Sequence, residues 1–214
     1  TMKTIVFFGD SNTWGYDSTT GKRFPHEVRF TGLLEQRLKD CRIIEEGMRG
    51  RTQAFDDSLM EGRNGRKELP MILCTHDPVD ILVIMLGTND VKSTFHNSAY
   101  EIGRALERNI QIAQAPLMWD GERTPKILVV CPPGVTEDFK GSEMEGHFDQ
   151  RSVEVSKALD KEFRNMAGKY GCAYLNAMEY TGPGKEDGVH LDAKGHQKLA
   201  DALEQKINEM IISC

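Results

Sequence analysis

Short apolar runs recur along the chain, with longer stretches between them whose apolar residues return at helical spacing. Thr4 to Phe8, Arg42 to Glu45, Ile81 to Leu86, Ile127 to Cys131 and Ala173 to Leu175 are brief and rich in β-branched or apolar side chains, which predicts five strands. Phe30, Leu33, Leu34 and Leu38 fall on one helical face before the second strand, and Leu69, Ile72 and Leu73 suggest another helix before the third. Ile102, Leu106, Ile110 and Ala113 mark a long helix expected to break near Pro116. Val153, Val155, Leu159 and Phe163 predict a fourth helix, and Leu199, Leu203, Ile207 and Ile211 line one face of the last.

Strands alternating with helices predict an α/β fold, a three-layer α/β/α sandwich around a parallel sheet covered on both faces. Five strands favour a flavodoxin-like order, 2-1-3-4-5. Ligands bind such sheets beyond the carboxyl ends of the strands, where the order reverses. That point lies between the first and third strands, so attention falls on the segments just past Phe8 and Leu86. The chain has no internal repeat, low-complexity tract or linker, and one domain spanning residues 1–214 is expected. The longest irregular stretch, Pro132 to about Gly146, is expected to form a rim of the site.

Composition narrows the classes. Hydrophobic residues make up 39% and charged residues 28%, with a formal net charge of -6. An acidic balance argues against a nucleic-acid partner, whose binding surface is normally basic. No apolar run approaches the roughly 20 residues of a membrane helix, so no membrane partner is expected. The chain enters its first strand with no leader-like segment before it, and a cytoplasmic location is expected. The five cysteines, Cys41, Cys74, Cys131, Cys172 and Cys214, are odd in number and form no C-x-x-C pair, which suggests reduced thiols rather than a disulfide framework or zinc site.

Four stretches carry candidate chemistry: Gly9-Asp10-Ser11 after the first strand, Glu46-Gly47-Met48-Arg49-Gly50-Arg51 past the second, Gly87-Thr88-Asn89-Asp90 past the third, and Asp187-Gly188-Val189-His190 before the last helix. The topology gathers all four at one end of the sheet. Asp187 and His190 are spaced so that a turn brings the carboxylate to one imidazole nitrogen, leaving the other to take a proton from a hydroxyl. A serine hydroxyl is a poor nucleophile until such a base adjoins it, and Ser11 is the candidate. Asn89 and the backbone N–H groups of Gly50 and Ser11 are candidate donors to an oxyanion, each such donor being worth about 3–4 kcal/mol. Asp10, Asn12 and Trp14 are expected at the substrate pocket, with Tyr16 beside them. Each stretch also has a plain structural reading: Ser11 as a helix cap, Asp187 as a cap for the last helix, Asn89 as a cap, and the glycines as turn formers. Asp90 is read as a loop brace and His196 as structural. A metal-dependent phosphoesterase and a non-catalytic phosphate- or flavin-binding module stay open on the residues alone.

Taken together, the blocks G-D-S, G-M-R-G, G-T-N-D and D-G-V-H resemble those of the SGNH hydrolases, the GDSL-type esterases and lipases, in order and across nearly the whole chain. The leucine usual after the serine is replaced by Asn12. The stretches G-D-S-N-T-W-G, V-R-F-T-G, I-E-E-G and I-M-L-G-T-N-D are similar to the arylesterase and acyltransferase (perhydrolase-like) subgroup. The resemblance implies a catalytic Ser11, Asp187 and His190, an oxyanion hole of Ser11, Gly50 and Asn89, and no metal or organic cofactor. It implies hydrolysis of small short-chain acyl esters, acetyl foremost, with acyl transfer as a companion activity and a homo-oligomer as a possible assembly. A carbohydrate O-deacetylase, lysophospholipase or thioesterase of the same fold is the alternative.

Overall fold

Alternation along the first strand sets the architecture. In the computed structural model, which describes residues 1–115 and 123–213, β1 (Lys3–Gly9) buries Ile5 and Phe7 on one face of a sheet and Val6 and Phe8 on the other. A strand with both faces apolar must lie in the middle of a covered sheet. β1 pairs in parallel with β4 (Cys41–Gly47) on one side and with β5 (Ile81–Met85) on the other. β6 (Lys126–Cys131) and β7 (Ala173–Asn176) extend the sheet in the same direction. A separate hairpin, β2 (Tyr16–Asp17) and β3 (Lys22–Arg23), lies between β1 and β4 in the chain. The sheet order is β4-β1-β5-β6-β7, which for its five strands is 2-1-3-4-5, as the sequence predicts.

The helices form a layer on each face. α2 (Phe30–Arg37) and α6 (Ala193–Ile212) cover Ile5, Phe7, Val83 and Val130 with Phe30, Leu34, Leu199, Leu203 and Ile207. α3 (Gly65–His76), α4 (Ala99–Ala113) and α5 (Gln150–Lys169) cover Val6, Phe8, Leu82, Ile84 and Val129 with Leu69, Leu73, Leu106, Leu159 and Phe163. The apolar stripes read from sequence are the buried faces, except that Leu33, Val155 and Ile211 are half-buried at the margins. Caps fix where the helices begin. Ser98 and Glu101 form a reciprocal capping box at α4, Asp149 and Ser152 do the same at α5, and Asp192 Oδ1 accepts from the Gly195 N–H at 2.7 Å to start α6. α4 ends at Ala113, close to the expected break; Pro116 itself lies outside the described residues.

One short element matters beyond its size. α1 (Ser11–Trp14) is a single turn at the carboxyl end of β1, and it lies hard against the end of β4. A Cβ on Gly47 would stand 2.3 Å from the Trp14 nitrogen, so only glycine lets the two backbones meet there. Gly9, the last residue of β1, registers with both Gly47 and Met85, which sets Ser11 between the neighbouring strand ends. No helix among the described residues is long and apolar enough to cross a membrane.

Leu82 is fully buried in the middle of β5 against the α3–α4–α5 layer. Leu82→Ala is expected to lower the unfolding free energy by about 3 kcal/mol through lost transfer energy and a residual cavity. Met71→Ala, on the exposed side of α3, is expected to change it by less than about 0.5 kcal/mol. Denaturant midpoints of the two variants check the difference.

Candidate active site

The loops after β1, β4 and β5 and the loop before α6 meet over the carboxyl edge of the sheet, at the reversal of strand order. Asp10 opens α1 by accepting the Asn12 N–H at 2.9 Å through its Oδ1. That turn presents Ser11, whose Oγ lies 2.9 Å from His190 Nε2, across 179 residues of sequence. His190 Nδ1 lies 2.6 Å from Asp187 Oδ2, while Asp187 Oδ1 accepts the backbone N–H groups of Val189 and His190, each at 2.9 Å. An ionised carboxylate only accepts, so the proton on this edge of the ring belongs to Nδ1, and Nε2 is left to accept from the serine hydroxyl. Burial raises the Asp187 carboxyl, but hydrogen bonds from the His190 ring and the two amides outweigh it and hold the group below its ordinary value. All three side chains are buried. The result is a triad-like line from Asp187 through His190 to Ser11.

The two loops are also tied directly. Asn12 Oδ1 accepts the Leu191 N–H at 2.9 Å, which fastens the turn carrying Ser11 to the residue after His190. Tyr16 lies over the imidazole, with ring centroids 4.4 Å apart and planes at 47°. Its hydroxyl donates to Glu143 Oε1 at 2.5 Å, and that bond foremost pushes the phenol up to about 12.

Asn89 starts a 3₁₀ turn just after β5. Its Nδ2 donates one hydrogen to the Arg51 carbonyl at 3.1 Å, which fixes the carboxamide and leaves a second hydrogen on the same nitrogen. Gly50 has φ = +84°, a left-handed backbone that favours glycine, and it lines the same cleft as Ser11 and Asn89. Arg51 ties the strand ends: its guanidinium donates to the carbonyls of Gly9 at 3.0 Å and Glu46 at 2.5 Å, and pairs with Glu68 at 2.8 Å.

The structure therefore brings together Ser11, Gly50, Asn89, Asp187 and His190. It does not put Asp10, Asn12 or Trp14 on the wall of the cleft, which corrects that expectation. Asp10 and Asn12 are buried beneath it, occupied in capping α1 and joining the loops. The Trp14 ring lies between guanidinium groups of Arg23 and Arg49, with centroid distances of 5.2 and 4.7 Å. The far end of the irregular stretch after β6 supplies Glu143 and Met144 to the cleft, followed by His147 and Phe148. Glu143 and Met144 fall in the stretch expected to form a rim of the site, but the sequence reading singled out none of these four residues, nor Arg49, Arg63 and Lys92 as lining groups. Lys92 carried a signal: it follows Asn89 by three residues, one turn of a 3₁₀ helix, so both side chains leave on the same side. The cleft encloses about 380 Å³. Among the described residues no group of three His, Cys, Asp or Glu side chains is gathered to hold a metal ion.

Asp90 braces the floor. Its Oδ2 accepts the Gln53 N–H at 2.9 Å, and Gln53 in turn bonds the Leu86 carbonyl and the Asn109 side chain. The other oxygen, Oδ1, is buried without a partner. Burial drives the Asp90 carboxyl up to about 7 against the bond from Gln53, and burial also drives Asp10 up to about 6 against the bond from Asn12.

The sequence profile of the GDSL-like lipase/acylhydrolase family matches residues 7–198. No curated protein sequence matches the chain. Among solved structures, Est24, a carbohydrate acetylesterase from Sinorhizobium meliloti, is 34% identical with a TM-score of 0.91, the match covering 97% of this chain and 99% of that one. The M. smegmatis aryl esterase is 29% identical with a TM-score of 0.89, again over 97% and 99% of the two chains. A lipase/acylhydrolase from Enterococcus faecalis, 20% identical over 98% and 97% of the two chains with a TM-score of 0.70, shares the fold.

The buried Asp90 carboxyl gives a stability test. Between an unfolded value of about 3.9 and the folded value of about 7, the folded chain holds more protons than the unfolded one, so stability falls as pH rises through that window. Asp90→Asn removes this charging and is expected to reduce the drop in Tm between pH 5 and pH 8 by at least about 3 °C. Thermal unfolding of both proteins across that range checks it; parallel profiles would contradict the assignment.

Proposed function

The chain belongs to the GDSL-like lipase/acylhydrolase family and is an esterase, and from that premise we propose that it hydrolyses short-chain acyl esters, acetyl foremost, through an acyl-enzyme on Ser11. The observation that carries this reading is the hydrogen-bonded line from Asp187 through His190 to Ser11 at the floor of a cleft also lined by Asn89 and Gly50. Of the named neighbours, the carbohydrate acetylesterase supports an acetyl group, and the aryl esterase supports ester hydrolysis.

In this mechanism His190 Nε2 takes the Ser11 proton as Oγ attacks the ester carbonyl. Asp187 holds the imidazole in the tautomer that leaves Nε2 free, and its negative charge stabilises the imidazolium once formed. The carbonyl oxygen becomes an oxyanion, which accepts from the second hydrogen of Asn89 Nδ2 and from the backbone N–H groups of Ser11 and Gly50. The Arg51 carbonyl holds the Asn89 amide in place beforehand, so little reorganisation is needed when charge develops. Collapse of the tetrahedral intermediate expels the alcohol, which leaves with the proton from His190. Water, or a second alcohol, then gives a proton to His190 and attacks the acyl-enzyme, releasing the acid or a new ester and restoring Ser11.

Ser11→Ala is expected to reduce hydrolysis of 4-nitrophenyl acetate to background while the circular dichroism spectrum stays that of the parent. Treatment of the parent with a fluorophosphonate is expected to add one adduct mass, on the peptide that contains Ser11. A Ser11→Ala protein with parental turnover would refute the nucleophile. Asn89→Ala is expected to lower kcat by about 10²–10³; an unchanged kcat would remove Asn89 from the oxyanion site.

A further inference from the structure

The charges around the cleft oppose those of the rest of the molecule. The chain carries a formal net charge of -6, yet Arg49, Arg63 and Lys92 all line the cleft that holds Ser11, with Glu143 as the one carboxylate residue among its lining groups. Among the described residues none of these three cations has a carboxylate oxygen within 4.0 Å, whereas Arg51, just beneath, is paired with Glu68. Arg63 is held by neutral groups, its Nε donating to the Arg49 carbonyl at 3.1 Å and its Nη1 to the Glu61 carbonyl at 2.7 Å, so its charge is oriented but not cancelled. Arg49 lies on the Trp14 face, which likewise leaves its charge intact. Lys92 is half-buried; burial lowers the affinity of its ammonium for a proton, against the longer-range attraction of Asp57, Asp10 and Asp90. Glu143 is engaged by the Tyr16 hydroxyl at 2.5 Å.

A partly desolvated ammonium with no carboxylate in direct contact is costly unless something negative arrives. A second space of about 430 Å³ shares Met60, Lys92 and His147 with the first, so Lys92 borders both. Asp57 and Glu145 line only that outer space. A short acyl group fills little of the cleft of about 380 Å³, so the remainder is available to the alcohol half of the ester.

We propose that the preferred substrates are short-chain acyl esters whose alcohol portion carries an anionic group, a carboxylate or a phosphate, received by Arg49, Arg63 and Lys92. The cations raise the local concentration of such esters and orient the bound alcohol half, leaving the acyl carbonyl over Ser11. This inference rests on the serine-esterase reading above and deepens it.

The test compares 4-acetoxybenzoate and 4-acetoxyphenyl phosphate with the neutral methyl 4-acetoxybenzoate, each kcat/KM being divided by that ester's hydroxide hydrolysis rate. At about 20 mM salt the corrected kcat/KM is expected to favour at least one anionic ester by about tenfold or more. Which one is favoured separates carboxylate from phosphate recognition. The preference is expected to shrink as salt rises to about 500 mM. Lys92→Gln and Arg49→Gln, at side chains that form no ion pair, are expected to move the anionic-to-neutral ratio toward one. A parent protein with equal or reversed preference would overturn the anion site while leaving the serine esterase intact, as would a preference unchanged by salt and by both substitutions. Failure to turn over any of the three, with no fluorophosphonate adduct, would overturn the esterase reading and this inference with it.

Discussion

Parallel pairing is the constraint on which the rest depends. Because β4, β1, β5, β6 and β7 all run the same way, every carboxyl end reaches the same edge of the sheet. Residues 11, 50 and 89 each come a few positions after a strand, and residue 190 lies in the loop that leads into α6. An antiparallel partner for β1 would send one of these segments to the opposite edge. Parallel strands need crossovers, and crossovers need helices on both faces. The unbroken apolar runs of β1 and β5 are thus as necessary to the site as its polar residues, since they make the strands central enough for Ser11 and Asn89 to lie side by side.

The polar floor shows how one side-chain type is put to different uses by its surroundings. Asp187 is buried, but two amides and an imidazole hold its charged form. Asp90 is buried with one amide at one oxygen and nothing at the other, which favours the neutral acid near neutral pH. Asp10 lies between these cases, with one amide and the charges of His190 and Arg51 partly offsetting its burial. The difference is the number and sign of groups aimed at each carboxylate, not depth alone. Near neutral pH Asp90 is thus only partly charged, whereas Asp10, with its value near 6, is mostly ionised.

Much of the architecture was legible in the chain. Five short apolar runs gave the sheet and its order, and helical periodicity gave the buried faces of α3, α4, α5 and α6. Periodicity could not find the hairpin of Tyr16–Asp17 and Lys22–Arg23, because two residues per strand are too few to show alternation. The Asp187–His190 contact was legible because it is local, three residues apart within one turn. Asp10, Asn12 and Trp14 misled the reading because adjacency to Ser11 in sequence does not mean adjacency to its hydroxyl in space; a single helical turn directs neighbouring side chains around its circumference. Arg49 and Arg63 come from the connection between β4 and α3, Lys92 from the segment after β5 and Glu143 from the one after β6, and only their placement in three dimensions reveals that they surround one opening. His196 was rightly read as structural: its Nδ1 accepts the Phe30 N–H at 3.1 Å, and burial keeps the ring neutral down to about 4.

The bond between Asn12 Oδ1 and the Leu191 N–H bears on the birth of the protein as well as its finished form. Translation is vectorial, and domains tend to fold as units while the ribosome is still working. The turn bearing Ser11 is made well before its partners: the imidazole it bonds lies 179 residues further along the chain, next to the amide that anchors the turn. On the proposed mechanism, hydrolytic competence therefore waits until elongation has passed Leu191.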